Sequence, residues 1–267
     1  MKFCLMLNRQ QRRGDDMRQR LFENLEQVRA ARYYGFDMVL TGQHNLTDTF
    51  QSYATMPLLA RLAAEAEGMQ IGTNVFLLPL HNPVAVAEEV ATLDLICGGR
   101  FVFGIGLGGS RPVEYTSYGI DIHERVGRFR ECVEVMKLLW TQERVNFSGK
   151  YFKLEGVTST IRSVQKPHPP IWIGGHAEAV IKRAASLGDT WLPGPEVSVE
   201  QLVREYAIYR QALKDSGKPE PKDLPLTREV LVRESDGEAF TMAERYIGGK
   251  YEDYANRPGH EQEMIAR

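Results

Sequence analysis

The chain has 267 residues, 43% of them apolar and 25% charged, which is the composition of a globular domain and excludes wholesale disorder. Lys and Arg number 33 against 35 Asp and Glu; a formal charge of −2 offers no basic footprint for a phosphate backbone, which disfavours nucleic-acid binding. No apolar run approaches the roughly 18 residues that span a bilayer, and Phe3–Leu7 is too short for a secretion signal.

Short β-like runs alternate with helical patterns from the start of the chain. Lys2–Leu7 reads as a first strand, and Leu21, Leu25, Val28 and Ala31 have the spacing of an amphipathic helix that Gly35 ends. Phe36–Leu40 is a second strand, Met56–Glu67 a second helix ended by Gly68, and Met69–Leu78 a third strand, apolar enough to be covered on both faces. Asn82 caps a helix over Val84–Ile96, with Pro83 in the first turn, where its missing N–H costs nothing, and Gly98–Gly99 stop it. Phe101–Leu107 is strand four.

A long excursion follows over Gly108–Pro170, with a helix near Arg125–Trp140 and a hairpin-like stretch about Gly149; a connection of that length reads as a lid or binding loop. The βα rhythm resumes with Ile171–Ile173, a helix over Ala177–Leu187, strand Thr190–Leu192, a helix over Val199–Ser216, strand Leu226–Arg233 and a helix from Ala239 to Tyr246. Residues 248–267 are a weakly patterned tail. Right-handed crossovers coil such a series into one α/β domain over 1–267, a TIM-type (β/α) barrel with an insertion after strand four, whose eighth strand is either replaced by an irregular closure in the tail or missing. The open doubly wound alternative lacks a Gly-rich turn after strand one, where Leu7–Asn8–Arg9 stands.

In parallel barrels the site gathers at the C-terminal ends of the strands. His44 follows strand two there, and its near-neutral titration suits acid or base work. His81 follows strand three but adjoins a helix cap, and is read as structural. The run Gly104–Gly109 after strand four permits close backbone approach to a flat ligand. Gly174, Gly175, His176 and Ala177 lead from strand five into a helix whose free N–H groups make a seat for a phosphate. His123, His168 and His260 share no ligand spacing, so no metal site is expected. The odd, scattered Cys4, Cys97 and Cys132 fit no disulfide or metal framework; each reads as a buried small hydrophobe, and the cytoplasm is the simplest compartment.

Beyond spacing, an ordered series of residues resembles the bacterial luciferase-like family of flavin-dependent oxidoreductases. It comprises Gly35–Phe36–Asp37 leading to Gln43–His44–Asn45, Ile71–Gly72–Thr73, Leu78–Pro79, Asn82–Pro83, Ala87–Glu88–Glu89 and Leu93–Asp94. Gly98–Phe101, Gly104–Gly106, Glu124–Arg125 with Phe129, Leu139–Trp140, Phe147 with Gly149 and Tyr151–Phe152, Pro169–Gly175, and Gly188–Asp189 with Trp191 continue it. The resemblance spans roughly residues 1–215.

That resemblance implies a barrel holding reduced FMN, or in a sister branch the deazaflavin coenzyme F-420, at its mouth. His44 matches the family's strand-two histidine, which contacts the reacting region and assists proton transfer; Gln43 and Asn45 replace its usual Glu-His-His neighbours. Asn74–Val75 matches a non-prolyl cis peptide whose bulge presses on the flavin ring. The cofactor phosphate maps to Gly174, Gly175, His176 and Ala177. Gly106, Leu107 and Gly108 border the cofactor after strand four, and Leu107 stands where some members carry a phosphate-binding arginine.

The resemblance implies an FMN- and O2-dependent monooxygenase acting on a small organic substrate, fed by a flavin reductase. Deazaflavin hydride transfer and a catalytically silent luciferase-like subunit are its alternatives. The excursion would cover the substrate, with Tyr115, Tyr118, Tyr151 and Phe152 as aromatic contacts. A homodimer buried through helices two and three is expected, with no nucleic acid or membrane as partner.

Overall fold

The computed structural model describes residues 1–255 apart from Arg9, residues 47–49, Gly109, Ser110 and Glu196. In chain order the elements are β1 (Cys4–Met6), β2 (Gln10–Arg12), α1 (Met17–Tyr33), β3 (Met38–Thr41), β4 (Phe50–Ser52), α2 (Thr55–Ala63), β5 (Gln70–Thr73), β6 (Phe76–Leu77), α3 (Pro83–Ile96), β7 (Phe101–Gly106), α4 (Pro112–Ser117), α5 (Arg125–Thr141), β8 (Val145–Ser148), β9 (Lys153–Val157), β10 (Ile171–Gly174), α6 (Glu178–Leu187), β11 (Thr190–Leu192), α7 (Val199–Asp215) and α8 (Asp236–Ala255). Side chains cap four of the α-helices: Asp16 accepts from the Arg18 and Gln19 N–H groups, Asn82 from Val84, Ser198 from Gln201, and Ser235 from Glu238.

The parallel strands lie in the order β1-β3-β5-β7-β10-β11, with β6 also paired to β7. Each links to the next through a helix, and alternate side chains sort to two faces. Met38, Leu40, Val102, Trp172 and Leu192 face inward and pack together with Val75. Val39, Ile71, Phe101, Phe103, Ile105, Ile171 and Ile173 join the larger core shared with the helices. On the inner face, glycine is what brings neighbouring strands together: a Cβ on Gly72 would lie 2.1 Å from the Val102 carbonyl oxygen, and one on Gly104 1.9 Å from that of Thr73.

Three expectations are corrected. The third strand is two, β5 and β6, broken at Asn74–Val75, whose peptide bond is cis, as the resemblance implies. The stretch Leu226–Arg233 forms no strand. Its Leu226, Val230 and Val232 are 54%, 80% and 77% exposed, because no neighbouring backbone pairs with them. Tail residues 248–255 continue α8 through Gly248 and Gly249, and residues 256–267, with His260, lie outside the described residues.

Among the described residues the sheet is a half-barrel whose edge strands β1 and β11 are not paired to each other. Side-chain bonds from the segment after α7 span this seam. The Asp223 carboxylate accepts from Lys2 Nζ at 3.0 Å, its carbonyl from Thr190 Oγ1 at 3.5 Å, and the Arg228 guanidinium donates to the Pro195 and Val197 carbonyls. At the inner end of the segment, Thr227 Oγ1 accepts from the Asn74 amide at 3.4 Å.

The excursion after β7 separates into parts with different tasks. Helix α5 is an ordinary crossover helix, burying Phe129, Cys132, Val133, Met136, Leu139 and Trp140. Gln165, beyond the β8–β9 hairpin, is tied back to the buried Asp94 carboxylate by its N–H at 2.9 Å and its amide at 2.7 Å. Among the described residues of the excursion, Arg111, Glu114 of α4 and Tyr118 after it reach the barrel mouth. Helices α2 and α3 bury most of their apolar residues within the subunit, leaving Val84, Leu95 and Ile96 exposed. Cys97 and Cys132 are buried, but Cys4, on an edge strand, is exposed, against the expectation for all three. Among the described residues no helix is long and apolar enough to cross a membrane.

Candidate active site at the mouth of the half-barrel

The mouth is assembled where β3 and β5 end. The Asn74 N–H donates to the Thr41 carbonyl at 2.8 Å and the Gln43 N–H to the Val75 carbonyl at 3.0 Å, which locks the two strand ends together one residue before His44. A ribbon that pattern reading missed, β2 paired antiparallel with β4, forms one rim and carries Phe50 to within 6.0 Å of the His44 ring, edge to face. His44, Asn45, Leu46, Phe50, Gln51, Ser52, Tyr53, Ala54 and Tyr118 line a cleft of about 610 Å3, within the usual range for organic ligands.

His44 keeps a quarter of its side chain exposed, yet its Nδ1 is buried and has no hydrogen-bond partner among the described residues. Nearest to it is Glu114 of α4, also absent from the pattern reading, whose Oε1 lies 3.8 Å from Nδ1 and accepts the Asn45 N–H at 2.9 Å. The carboxylate is 2% exposed. Burial works against its ionisation, but His44, the Asn45 N–H and Arg111 outweigh that and hold its pKa below the usual range. Tyr115, the next residue, donates its hydroxyl to the Leu107 carbonyl and clips α4 onto the end of β7.

Behind the cleft, Gln43 joins two elements. Its Oε1 accepts the Leu77 N–H at 2.8 Å, and its Nε2 donates to His81 Nε2 at 3.0 Å, which assigns the His81 proton to Nδ1. The His81 ring stacks on Phe76 at 4.3 Å between centroids, and burial lowers its pKa to about 4. The folded form therefore resists a proton that the unfolded chain accepts near pH 6.5. Stability contributed by the neutral ring is complete above pH 6.5 and is lost progressively as pH falls toward 4, by up to about 3 kcal/mol. Urea unfolding at pH 7.5 and pH 4.5 should show this loss in the wild type and a flatter dependence in His81→Gln.

Four of the residues expected to border a cofactor converge. Gly106 and Gly174 lie beneath Val75: a Cβ on either would come 2.7 Å or 2.8 Å from its methyl groups, so these glycines make room for the Asn74–Val75 bulge. Gly108, at φ +65°, sits against Leu77, and Leu107 packs on the main core. At the end of β10, Gly175 adopts φ +139°, Ala177 begins α6, and no side chain caps that helix. The uncapped N–H groups fit an anion.

His176 is less available than expected. Its Nε2 accepts the Gly194 N–H at 3.2 Å, and Nδ1 faces the Glu205 carboxylate at 3.3 Å, so the ring binds the β11–α7 loop and brings negative charge to the seat. Of the four aromatic residues, only Tyr118 lines the cleft. Tyr115 is fully buried with Leu77, Leu80 and Ile120, while Tyr151 and Phe152 pack against Arg128 of α5. No cluster of His, Cys, Asp and Glu able to hold a metal occurs among the described residues.

The residues present fit a flat, phosphate-bearing cofactor. Three buried polar atoms without partners among the described residues, His44 Nδ1, Asn45 Nδ2 and Ser52 Oγ, belong to residues of the cleft, and an uncapped helix start offers an anion seat.

Known proteins share this fold and part of this sequence. Monooxygenase RslO1 from Streptomyces bottropensis superposes with a TM-score of 0.83 at 29% identity, over 96% of this chain and 78% of that one. An F420-dependent glucose-6-phosphate dehydrogenase from Kineococcus radiotolerans is 33% identical over 167 residues, 60% of this chain and 48% of that protein. The oxygenase component of a flavin-dependent trigonelline monooxygenase from Acinetobacter baylyi is 26% identical over 251 residues, 91% of this chain and 68% of that protein. The chain thus spans about half to two thirds of the length of the curated relatives it matches. Residues 1–267 match the family described as luciferase-like monooxygenase, and the chain belongs to that family of oxidoreductases.

Proposed function

We propose that the protein is a monooxygenase that uses reduced FMN and O2 on a small organic substrate, with His44 as its acid–base residue. The observation that carries this reading is the cleft itself: one imidazole at a strand end, beside an aromatic wall and an ionised, buried carboxylate. Bound reduced flavin supplies electrons for activating O2. The chain's own contribution is to seat the ring against Val75 over Gly106 and Gly174, to hold the phosphate at the α6 N-terminus, and to move a proton at His44 Nε2. Phe50, Tyr53, Leu46 and Tyr118 give the cleft an apolar lining, which suits a substrate with a ring or alkyl body. A flavin reductase would supply reduced FMN, and a homodimer through α2 and α3 would use the exposed Val84, Leu95 and Ile96; sedimentation at micromolar concentration reads the latter.

Among the described residues, Leu107 after β7 and the engagement of His176 by Glu205 bring no added positive charge to the phosphate seat, which favours deazaflavin hydride transfer as the second reading. Anaerobic titration with reduced FMN and with the reduced deazaflavin, each followed by an oxygen pulse, separates the two. Binding of FMN with an absorbance transient on oxygen supports the first; a tenfold preference for the deazaflavin, about 1.4 kcal/mol, supports the second. Failure of both cofactors to bind overturns both.

A further inference from the structure

Glu114 has no part in the motif resemblance, yet among the described residues it is the most deeply buried charge at the mouth. We infer that Glu114 is the positioning residue of His44: it holds the proton on Nδ1 and so keeps Nε2 as the basic nitrogen on the cleft side. The inference deepens the acid–base role assigned to His44 above and rests on that reading for its catalytic meaning, but not for its geometry.

A carboxylate with 2% exposure needs donors, since an unpaired buried charge is strongly destabilising. The Asn45 N–H supplies one. Among the described residues a second polar atom near Oε1 is His44 Nδ1, at 3.8 Å, itself buried and without another partner there. That separation is longer than a hydrogen bond and within reach of a small ring rotation; such contacts commonly tighten when a site is filled.

Only a protonated Nδ1 satisfies both groups. The opposite tautomer would set a lone pair against a carboxylate in a site that water does not reach. Each partner is independently fixed: α4 by the Tyr115 hydroxyl on the Leu107 carbonyl, and the imidazole by the Phe50 edge. Of the other described groups facing the pair, Arg111 is charged, poised over Phe50 at 5.9 Å, and Tyr118 is titratable, across the cleft. The Coulomb field of Arg111 favours the ionised carboxylate.

The test is nitrogen NMR on histidine-labelled protein without cofactor, the His44 signals being assigned by their absence in His44→Asn. Above neutral pH the wild type is expected to show the Nδ1–H tautomer at His44, with Nε2 unprotonated. Glu114→Gln is expected to mix the tautomers at His44, and Glu114→Asp to restore part of the Nδ1–H form. A wild-type spectrum with the proton on Nε2 overturns the inference even if Glu114→Gln does not fold. So does a folded Glu114→Gln with an unchanged His44 tautomer. Because none of these signals needs FMN, deazaflavin or turnover, they are read separately from the cofactor titration: the pair stands if cofactor binding fails, and falls on its own if the spectra disagree.

Discussion

His44→Ala should lower turnover by roughly 10²–10⁴-fold, the range contributed by a positioned acid or base and equivalent to about 3–5 kcal/mol of barrier. The change should fall on kcat rather than on cofactor affinity, because the apolar wall formed by Phe50, Tyr53 and Leu46 and the anion seat at the α6 N-terminus remain in place. Steady-state rates beside a cofactor titration of the same preparation provide the check. Turnover that survives the substitution, in an assay where the wild type works, would falsify the acid–base role and favour the silent-subunit alternative. The substitution also leaves the buried Glu114 carboxylate with one partner fewer among the described residues, so a loss of stability is expected beside the loss of turnover.

The largest expected effect on stability comes from a glycine that touches no ligand. Gly104→Ala would place a methyl group 1.9 Å from the Thr73 carbonyl oxygen, an obstacle in the backbone of the neighbouring strand that no rotamer change can clear. Relief requires β5 and β7 to separate where Thr73 Oγ1 also bonds the Gly104 carbonyl at 2.6 Å. Overpacking of this kind costs about 3 kcal/mol or more, and for a domain of this size should lower Tm by roughly 6–12 °C. Gly237→Ala in α8, where the added methyl meets nothing within 4 Å, is the control, and should be neutral or stabilising by a few tenths of a kcal/mol. Thermal melts of the two variants decide the point; equal melting temperatures would show that the strands yield at no cost.

This pair of glycines illustrates how far the residues can be read in isolation. The run Gly104–Gly108 announces close approach, but not of what. In the fold, Gly104 approaches Thr73, Gly106 accommodates Val75, and Gly108 sits on Leu77, so much of the closeness is internal to the protein. His176 is a similar case: its position before a helix suggests a ligand contact, while the ring is engaged by Glu205 and Gly194 from an element more than fifteen residues downstream.

Elements with a local cause were legible. Asn82–Pro83 start α3 because a side-chain acceptor and a fixed φ act within one turn, and Gly35, Gly98 and Gly99 end helices because their positive φ is a property of single residues. The βα alternation, and with it the parallel sheet that sets His44 at a strand end, likewise follows from short-range periodicity. Pairings between distant segments lie outside that reach. The β2–β4 ribbon joins residues about forty apart through two three-residue strands; the Leu226–Arg233 stretch has strand-forming side chains but no backbone beside it to complete a ladder. Glu114 is the plainest instance. As one glutamate in a polar loop it carries no pattern, and only the packing of α4 over the end of β3 strips it of water and sets it beside Asn45 and His44. The sequence by itself determined the alternation of elements, the helix ends and the histidine at the mouth, all of them governed by neighbours along the chain. Tertiary structure alone decided which charges are buried, which histidines are engaged and which aromatic residues line the cleft, because desolvation and partner choice depend on what the whole fold brings together.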